Sequence, residues 1–491
     1  MKLIDVGKIK VTPFEFDSII EIKIIKELNE HSVLYVSGIV RDDKQFSPVK
    51  DNTEDVKVKC ENDGKVYFSG VLQNVKVTCV NAIYRLEAYA ISNTILLDTI
   101  KHKRAFQDNG QTYQAIVEKV IADNSGSVTY NADPMTVENI ILQYNETDWE
   151  FAKRLASHTN DVLIPIIDDS PAFNFGAPTS GGTSLDSVDY SISRDFNAIR
   201  CFDELSSIED NKDGKPRKMT ADDVTVFCVE TDDFLCDIGE KFNLNGNDLH
   251  VCRLSLTFEN SALVVIYTLC PKKAVSIPKF YNPSITGLII DGKVTEVEND
   301  TLKLRLDDNK ARGVEQDTDE AHFFKYSTGY SMEKNTGWYV MPEENDIVQL
   351  LFPIEDEKFA YATSSLRQED TARTMDYMVK YLRTSYGRLI KMDKDEILIS
   401  TVSDDSCDDC ETYVRLHKDK DPGIEIITPN RILIKSDGST INIESEDDMT
   451  IKTKSKMFIE ASDQIQMVCG NSSIKMEPSE INIKSPMIKE N

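Results

Sequence analysis

Cys407 and Cys410 are the residues whose types and spacing come closest to a metal site. They form a Cys-x-x-Cys motif, which is half of the spacing that binds zinc. The sequence has no second such motif, and the nearest histidine is His417. The pattern therefore favours a solvent-exposed acidic loop without a metal, with zinc binding as the alternative.

Other patterns that carry chemistry are absent from the sequence. The six histidines form neither His-x-His nor His-Glu-x-x-His, and there is no nucleophile elbow, phosphate-binding glycine loop or dinucleotide fingerprint. The segment 419–423 begins like a calcium loop, but its glycine and downstream glutamate are misplaced, so we expect a charged turn. With 84 Asp and Glu residues, a glycosidase-type carboxylate pair stays open as an alternative. We expect no enzyme activity, no cofactor and no metal.

The composition bounds the partners and the compartment. The 491 residues include 56 Lys and Arg against 84 Asp and Glu, a net charge of −28, which argues against nucleic acid and anionic membranes. Ten scattered cysteines are too few for a disulfide framework, so we expect them reduced. The N-terminus lacks the pattern of a secretory signal, which predicts synthesis and folding in the cytoplasm.

Strand patterns dominate the elements that must position any site. Alternating stretches such as Val56–Cys60 and Leu254–Thr257 predict half-buried strands. Two segments predict helices: 112–123, with apolar residues at helical spacing, and a helix from Thr147, whose capping box would be completed by Glu150. Residues 170–187, rich in Pro, Gly, Ser and Thr, predict an exposed loop.

Residues 285–366 predict a small barrel. Five strand candidates and no room for a large helix fit an oligonucleotide/oligosaccharide-binding (OB) barrel. The candidates are 285–297, 302–306, 337–341, 346–352 and 359–364.

From residue 432 onward, apolar pairs at i and i+2 recur in steps of seven to nine residues. Such a repeat is typical of a solenoid or β-helical array. A single chain wound in this way would leave its strand edges unpaired, whereas three intertwined chains would pair them and bury the apolar side chains on the axis. We therefore predict a homotrimer whose core contains Ile432, Ile434, Ile441, Ile443, Met449, Ile451, Met457, Ile459, Ile465, Met467, Ile474, Met476, Ile481 and Ile483. An ordinary β-sandwich is the alternative.

Three stretches, in this order along the chain, resemble one family. Residues 141–155 (ILQYNETDWEFAKRL) are similar to a Q-Y-x-E-[ST]-D-[WY]-x-F-x-x-R-L motif, and residues 337–352 to a P-x-x-G-x-[EQ]-V turn before a buried strand, with Asn345 where many relatives have glycine. The third stretch is the repeat itself. The family is that of the VgrG-like and tail-spike (hub-and-needle) proteins of contractile injection systems, found in phage tails, phage-tail-like bacteriocins and type VI secretion alike.

The resemblance implies a mainly β protein with four parts. Residues 1–280 would form a hub of paired β-barrel domains with small α elements, and residues 281–366 the OB barrel. Residues 367–386 would be a linker and residues 387–491 an intertwined triple-stranded β-helix, the needle. Only 20 residues separate barrel and needle, so we expect no lysozyme domain between them. We also expect no toxin-type domain after the repeat.

The function that the resemblance implies is mechanical. The homotrimer would cap the tail tube, nucleate the baseplate hub and puncture a target envelope. Its partners would be tail tube and baseplate proteins, and its contact with the envelope would be transient. A separate tip protein stays open as an additional partner. It would be assembled into a phage-tail-like particle. The alternatives are a peptidoglycan hydrolase and a receptor-binding fibre.

Overall fold

The computed structural model describes residues 9–42, 56–179, 182–197, 199–200, 220–259, 262–306, 314–316, 322–332, 336–365, 376–402, 410–418 and 422–489. The chain divides into two compact units, Met1–Glu369 and Asp370–Asn491. None of the helices in the described ranges combines the length and the apolar character needed to cross a membrane.

Strands are the main element of unit one between residues 9 and 270. Those in its described residues are β1 (Ile9–Thr12), β2 (Ser18–Glu27), β3 (Val33–Val40), β4 (Lys57–Asn62), β5 (Lys65–Val80), β6 (Ile83–Ser92), β7 (His102–Phe106), β8 (Ser127–Tyr130), β9 (Ile141–Glu146), β10 (Leu163–Pro165), β11 (Ala172–Phe175), β12 (Thr183–Leu185), β13 (Tyr190–Arg194), β14 (Thr225–Thr231), β15 (Lys241–Leu244), β16 (Asn247–Glu259) and β17 (Ala262–Cys270). The prediction of a mainly β protein is confirmed.

The two halves of this region, β1–β6 and β12–β17, share one 12-stranded sheet. Its main path runs β1-β4-β5-β6-β3-β2-β16-β17-β14-β13, and β15 joins it through β16. The halves meet where β2 pairs antiparallel with β16, with Ile22 opposite Phe258 and Ile24 opposite Leu256. All four side chains are buried, because alternate residues of each strand face the same core.

Two helices are inserted between these halves, α1 (Tyr113–Ala122) and α2 (Asp148–His158). Both start where the sequence predicts. The Thr112 hydroxyl accepts a hydrogen bond from the Ala115 amide, and Thr147 and Glu150 complete a capping box.

The predicted loop at 170–187 is wrong for its first part. β11 pairs with β10 and β8, and Phe173 and Phe175 are fully buried in the core of the inserted helices. The turn-forming residues that surround this short strand hide its apolar alternation.

The barrel strands are β18 (Leu288–Glu298), β19 (Thr301–Arg305), β21 (Phe323–Ser327), β24 (Ile347–Phe352) and β25 (Tyr361–Ser365), and three short strands accompany them: β20 (Glu315–Gln316), β22 (Ser331–Met332) and β23 (Thr336–Gly337). The barrel closes in the order β18-β19-β21-β25-β24, with β21 and β25 parallel, which is OB topology.

The predicted third barrel strand, 337–341, is wrong. β21 takes its place because Phe324 is buried in the barrel core, whereas Trp338 is 75% exposed. The core also contains Ala105, Ile140 and Leu142, so the barrel packs directly on the region before it.

Unit two contains two antiparallel sheets. The first has strands β26 (Lys380–Arg383), β27 (Arg388–Met392), β28 (Glu396–Val402), β29 (Cys410–His417) and β30 (Gly423–Ile427), and the second β31 (Ile465–Cys469), β32 (Ser472–Glu477) and β33 (Glu480–Lys484). Both sheets pair neighbouring strands in sequence order.

Candidate functional site

Residues 431–464, between the two sheets of unit two, contain no helix or strand and are divided by regular bends. The bends lie at 429–430, 437–439, 446–447, 454–455 and 462–463, a spacing of about eight residues. Among the described residues, no backbone–backbone hydrogen bond involves this stretch. Its amides and carbonyls therefore have no backbone partners in the described part of the same chain.

The predicted apolar pairs repeat their exposure with the same period. The first members are 48–51% exposed and the second members 67–72% exposed. They are Ile432/Ile434, Ile441/Ile443, Met449/Ile451 and Met457/Ile459. The side chains thus have nearly equivalent environments from one repeat to the next, and in the single chain they face solvent.

The other six predicted residues lie on one face of the second sheet. Ile465, Met476 and Ile481 are cross-strand neighbours, and so are Met467, Ile474 and Ile483. Four of the six are 37–65% exposed. The structure thus brings these six side chains together on one face.

The first sheet of unit two has an apolar face of the same kind, which we call the apolar sheet face. It consists of two cross-strand rows, Met392, Ile397, Leu416 and Ile424 in one and Leu382, Ile390, Ile399, Val414 and Ile426 in the other. A groove of about 550 Å³ lies along the second row. Of these nine side chains, eight are 39–70% exposed.

The opposite face of that sheet carries buried leucines and ion pairs. Leu389 and Leu398 are buried there. Arg415 Nε lies 2.9 Å from Glu396 Oε2, and Lys391 Nζ lies 3.3 Å from Glu396 Oε1. The apolar sheet face thus leaves eight apolar side chains substantially exposed to water.

Unit one contains a buried polar network built from residues 141–155. Asp148 Oδ1 accepts from Arg104 Nη1 at 2.7 Å and from Gln143 Nε2 at 3.0 Å, and Arg104 Nη1 also donates to Gln143 Oε1 at 3.2 Å. Because these groups pair with each other, the network fixes β7, β9 and the first turn of α2 as one block.

Arg154 lies at the centre of a second cluster. Its Nε donates to Glu146 Oε1 at 2.8 Å, its Nη1 to Glu357 Oε1 at 2.9 Å, and its Nη2 to the Leu142 carbonyl at 2.8 Å. Burial opposes the charge of Arg154, but the two carboxylates outweigh it and raise the pKa of the guanidinium. Burial raises the pKa of Glu357, because one cation shared by two carboxylates does not fully compensate its lost hydration.

His158, in the last turn of α2, contacts the connector between hub and barrel. Its Nε2 donates to the Phe280 carbonyl at 3.3 Å, which leaves Nδ1 to accept from the Tyr113 hydroxyl at 3.3 Å. Burial, with Lys279 and Arg154 nearby, lowers the pKa of His158 well below 6.5. The ring is therefore neutral at pH 7.

No protein-family model and no curated protein sequence matches the chain. Solved structures do. A chain of the lidded Francisella PdpA–VgrG complex matches with a TM-score of 0.55 at 8% identity, over 86% of this chain and 80% of that one. The E. coli c3393 protein, a component of the type VI secretion system with structural similarity to T4 bacteriophage tail proteins gp27 and gp5, matches with a TM-score of 0.51 at 11% identity, over 73% of this chain and 100% of its own. The chain has a VgrG-like fold.

Within this VgrG-like fold, the structure gives the motif of residues 141–155 a physical role. Its Gln143, Glu146, Asp148 and Arg154 form the two buried clusters, and Trp149 is 2% exposed, in the core. Sequence reasoning missed Glu357 as a partner, although Arg154 beside Phe151 and Leu155 on an apolar helix face is a signal that a buried acid must exist.

The cysteine motif and the calcium-like segment fall largely outside the described residues. Cys407 and residues 419–421 are not described, and Cys410 is placed only as the first residue of β29. In the ranges that are described, no three His, Cys, Asp and Glu side chains group closely enough to hold a metal ion.

Proposed function

We propose that the chain is the homotrimeric central spike of a contractile injection system, with no enzymatic role. The VgrG-like fold supports this function. The observation that carries it is the stretch 431–464, which bends every eight residues or so and has no backbone partners in the described part of its own chain. Three copies would pair these strands and bury the 14 predicted apolar side chains.

The apolar sheet face supports the same assembly. β31–β33 have an apolar face of the same kind, so in this proposal both faces, from Leu382 to Ile483, would turn to the trimer axis. The domain boundaries 1–280, 281–366, 367–386 and 387–491 belong to this proposal.

The remaining roles follow from the same assignment. The hub would cap the tail tube and bind baseplate proteins, and the particle would carry the needle to a target envelope. A stiff needle suits puncture, because its strands would be held by main-chain hydrogen bonds between chains and not by local turns alone.

The absolute mass of the full-length protein, measured by light scattering, tests the proposal. We expect a mass near three times 55.5 kDa. A stable particle of 55.5 kDa would contradict the trimer. Release of soluble fragments from purified peptidoglycan, or specific binding to intact cells, would favour the hydrolase or the receptor-binding fibre instead.

A further inference from the structure

Three aromatic side chains are exposed in one hairpin region of the OB barrel. Trp338 is 75% exposed, Tyr339 72% and Tyr330 55%. Large rings are costly to leave in water, and Trp and Tyr are the residues most enriched at interaction sites. Their exposure on a closed barrel marks an interaction surface.

The backbone holds these rings in a defined arrangement. β22 and β23 form a hairpin in which Ser331 lies opposite Gly337, and the Trp338 amide donates to the Tyr330 carbonyl at 2.9 Å. Tyr330 and Trp338 are thus cross-strand neighbours whose side chains leave the hairpin on the same face. The Tyr339 hydroxyl donates to the Asn299 carbonyl, which anchors the hairpin to the turn between β18 and β19.

Exposed carboxylates lie close to the rings in sequence. Glu343, Glu344 and Asp346 follow the aromatic residues in the turn before β24. Asp300 follows Asn299 in the turn that Tyr339 contacts, and it is exposed as well. Lys325 lies across from Thr301, so the described charges here are predominantly, though not uniformly, negative.

At two other places in the same barrel, a carboxylate and an aromatic ring together hold a lysine ammonium group. Lys303 Nζ lies 2.8 Å from Glu296 Oε2 and 4.6 Å from the centre of the Phe323 ring. Lys358 Nζ lies 2.6 Å from Asp356 Oδ2 and 5.0 Å from the Phe359 ring. In both places a carboxylate and a ring face together bind a cation.

We propose that the aromatic-acidic surface (Tyr330, Trp338, Tyr339, Glu343, Glu344 and Asp346) binds an arginine- or lysine-rich segment of another protein. The ring faces stack on the cationic heads and the carboxylates pair with them. Phosphate-bearing partners are disfavoured because the carboxylates repel them, and a second copy of this acidic chain would bring like charge to the surface. This site goes beyond the spike function and does not depend on it.

Binding of a fluorescein-labelled hexa-arginine peptide to the full-length protein, followed by anisotropy at about 0.15 M salt, tests the proposal. We expect saturable binding that weakens about tenfold or more in Tyr330→Ala/Trp338→Ala and in Glu343→Gln/Glu344→Gln. The matched controls are Tyr377→Ala/Tyr386→Ala, which removes rings 81% and 85% exposed, and Asp447→Asn/Asp448→Asn. Both should bind within about twofold of the parent protein.

A second measurement uses the unaltered protein. The chain has two tryptophans and Trp149 is 2% exposed, so iodide quenching of tryptophan fluorescence reports on Trp338. Saturating hexa-arginine should protect Trp338 from the quencher. Equal peptide affinity in all variants, or no protection of Trp338, would overturn the proposal by assigning the binding to net charge alone. Protection by a neutral chitin hexasaccharide and not by the peptide would overturn it in favour of a carbohydrate site.

Discussion

Arg154 of α2 and Glu357 of the barrel, 203 residues apart in sequence, form an ion pair with Nη1 2.9 Å from Oε1 and side chains 0% and 4% exposed. The barrel is thus held to the inserted helices by a charge pair in addition to the shared apolar core. Breaking such a pair is costly, because it leaves an uncompensated charge in a dry environment.

Replacing Arg154 with methionine should lower the free energy of unfolding of unit one by about 3–5 kcal/mol. Denaturant unfolding followed by circular dichroism measures it. The control is Arg253→Met, which removes an ion pair to Glu27 from a side chain 52% exposed and should cost less than about 1 kcal/mol. Adding Glu357→Gln to Arg154→Met should recover part of the loss, and equal losses for the two arginine variants would contradict the buried-pair assignment.

His158 should make stability depend on pH. Its pKa in the folded protein lies well below 6.5, so the unfolded chain takes up the proton first and stability falls as pH falls through about 6.5. The substitution His158→Phe should remove this pH dependence of the unfolding free energy, whose slope is at most about 1.4 kcal/mol per pH unit. The measurement compares the free energy of unfolding of the parent protein with that of His158→Phe from pH 8 to pH 5. Parallel curves below pH 6.5 would show that His158 titrates normally.

Asn345 has a φ of +76°, and its amide donates to the Val294 carbonyl at 2.8 Å. This left-handed conformation suits asparagine, and it equally suits the glycine that many members of the family it resembles have at this position. Asn345→Gly should leave the melting temperature nearly unchanged, whereas Asn345→Val should cost about 1–3 kcal/mol. Equal stability of the two variants would contradict the turn geometry.

Ile465→Asp should prevent assembly of the trimer, because three carboxylates would meet in a dry core. Val468→Asp is the matched control: Val468 is 65% exposed and lies on the other face of β31. Light scattering should give the trimer mass for the control and a smaller mass for Ile465→Asp. Trimers of equal thermal stability from both variants would refute the packing.

Hydrogen exchange checks the backbone partners of residues 431–464. In the assembled protein their amides should exchange slowly, because each would be hydrogen-bonded to another chain. In the Ile465→Asp protein they should exchange at the rate of an unfolded chain. Fast exchange in the parent protein as well would contradict intertwined strands.

The sequence predicts the features that depend on neighbouring residues. The capping box at Thr147 and Glu150 is such a case, since its two partners are three residues apart. The third barrel strand is not. Phe323–Ser327 is short, and the sequence favours residues 337–341 instead, whose aromatic residues look like a buried strand but lie on the surface.

Long-range partners are equally hidden from one sequence. Nothing near Arg154 in sequence identifies Glu357, and the two rows of the apolar sheet face depend on the register of β26–β30. The repeat after residue 432 is the exception, because its period is visible in the amino-acid sequence itself.

The missing backbone hydrogen bonds of residues 431–464 also have a kinetic consequence. Unit one has its own cores and can fold at a rate independent of concentration, whereas in the proposed trimer residues 431–464 would find backbone partners only when other chains arrive. Refolding from denaturant should then show a fast phase for the hub and a slow phase that accelerates with protein concentration. In the cell, chains made from one messenger RNA would meet while still close together, so the rate of synthesis would set how many complete needles form.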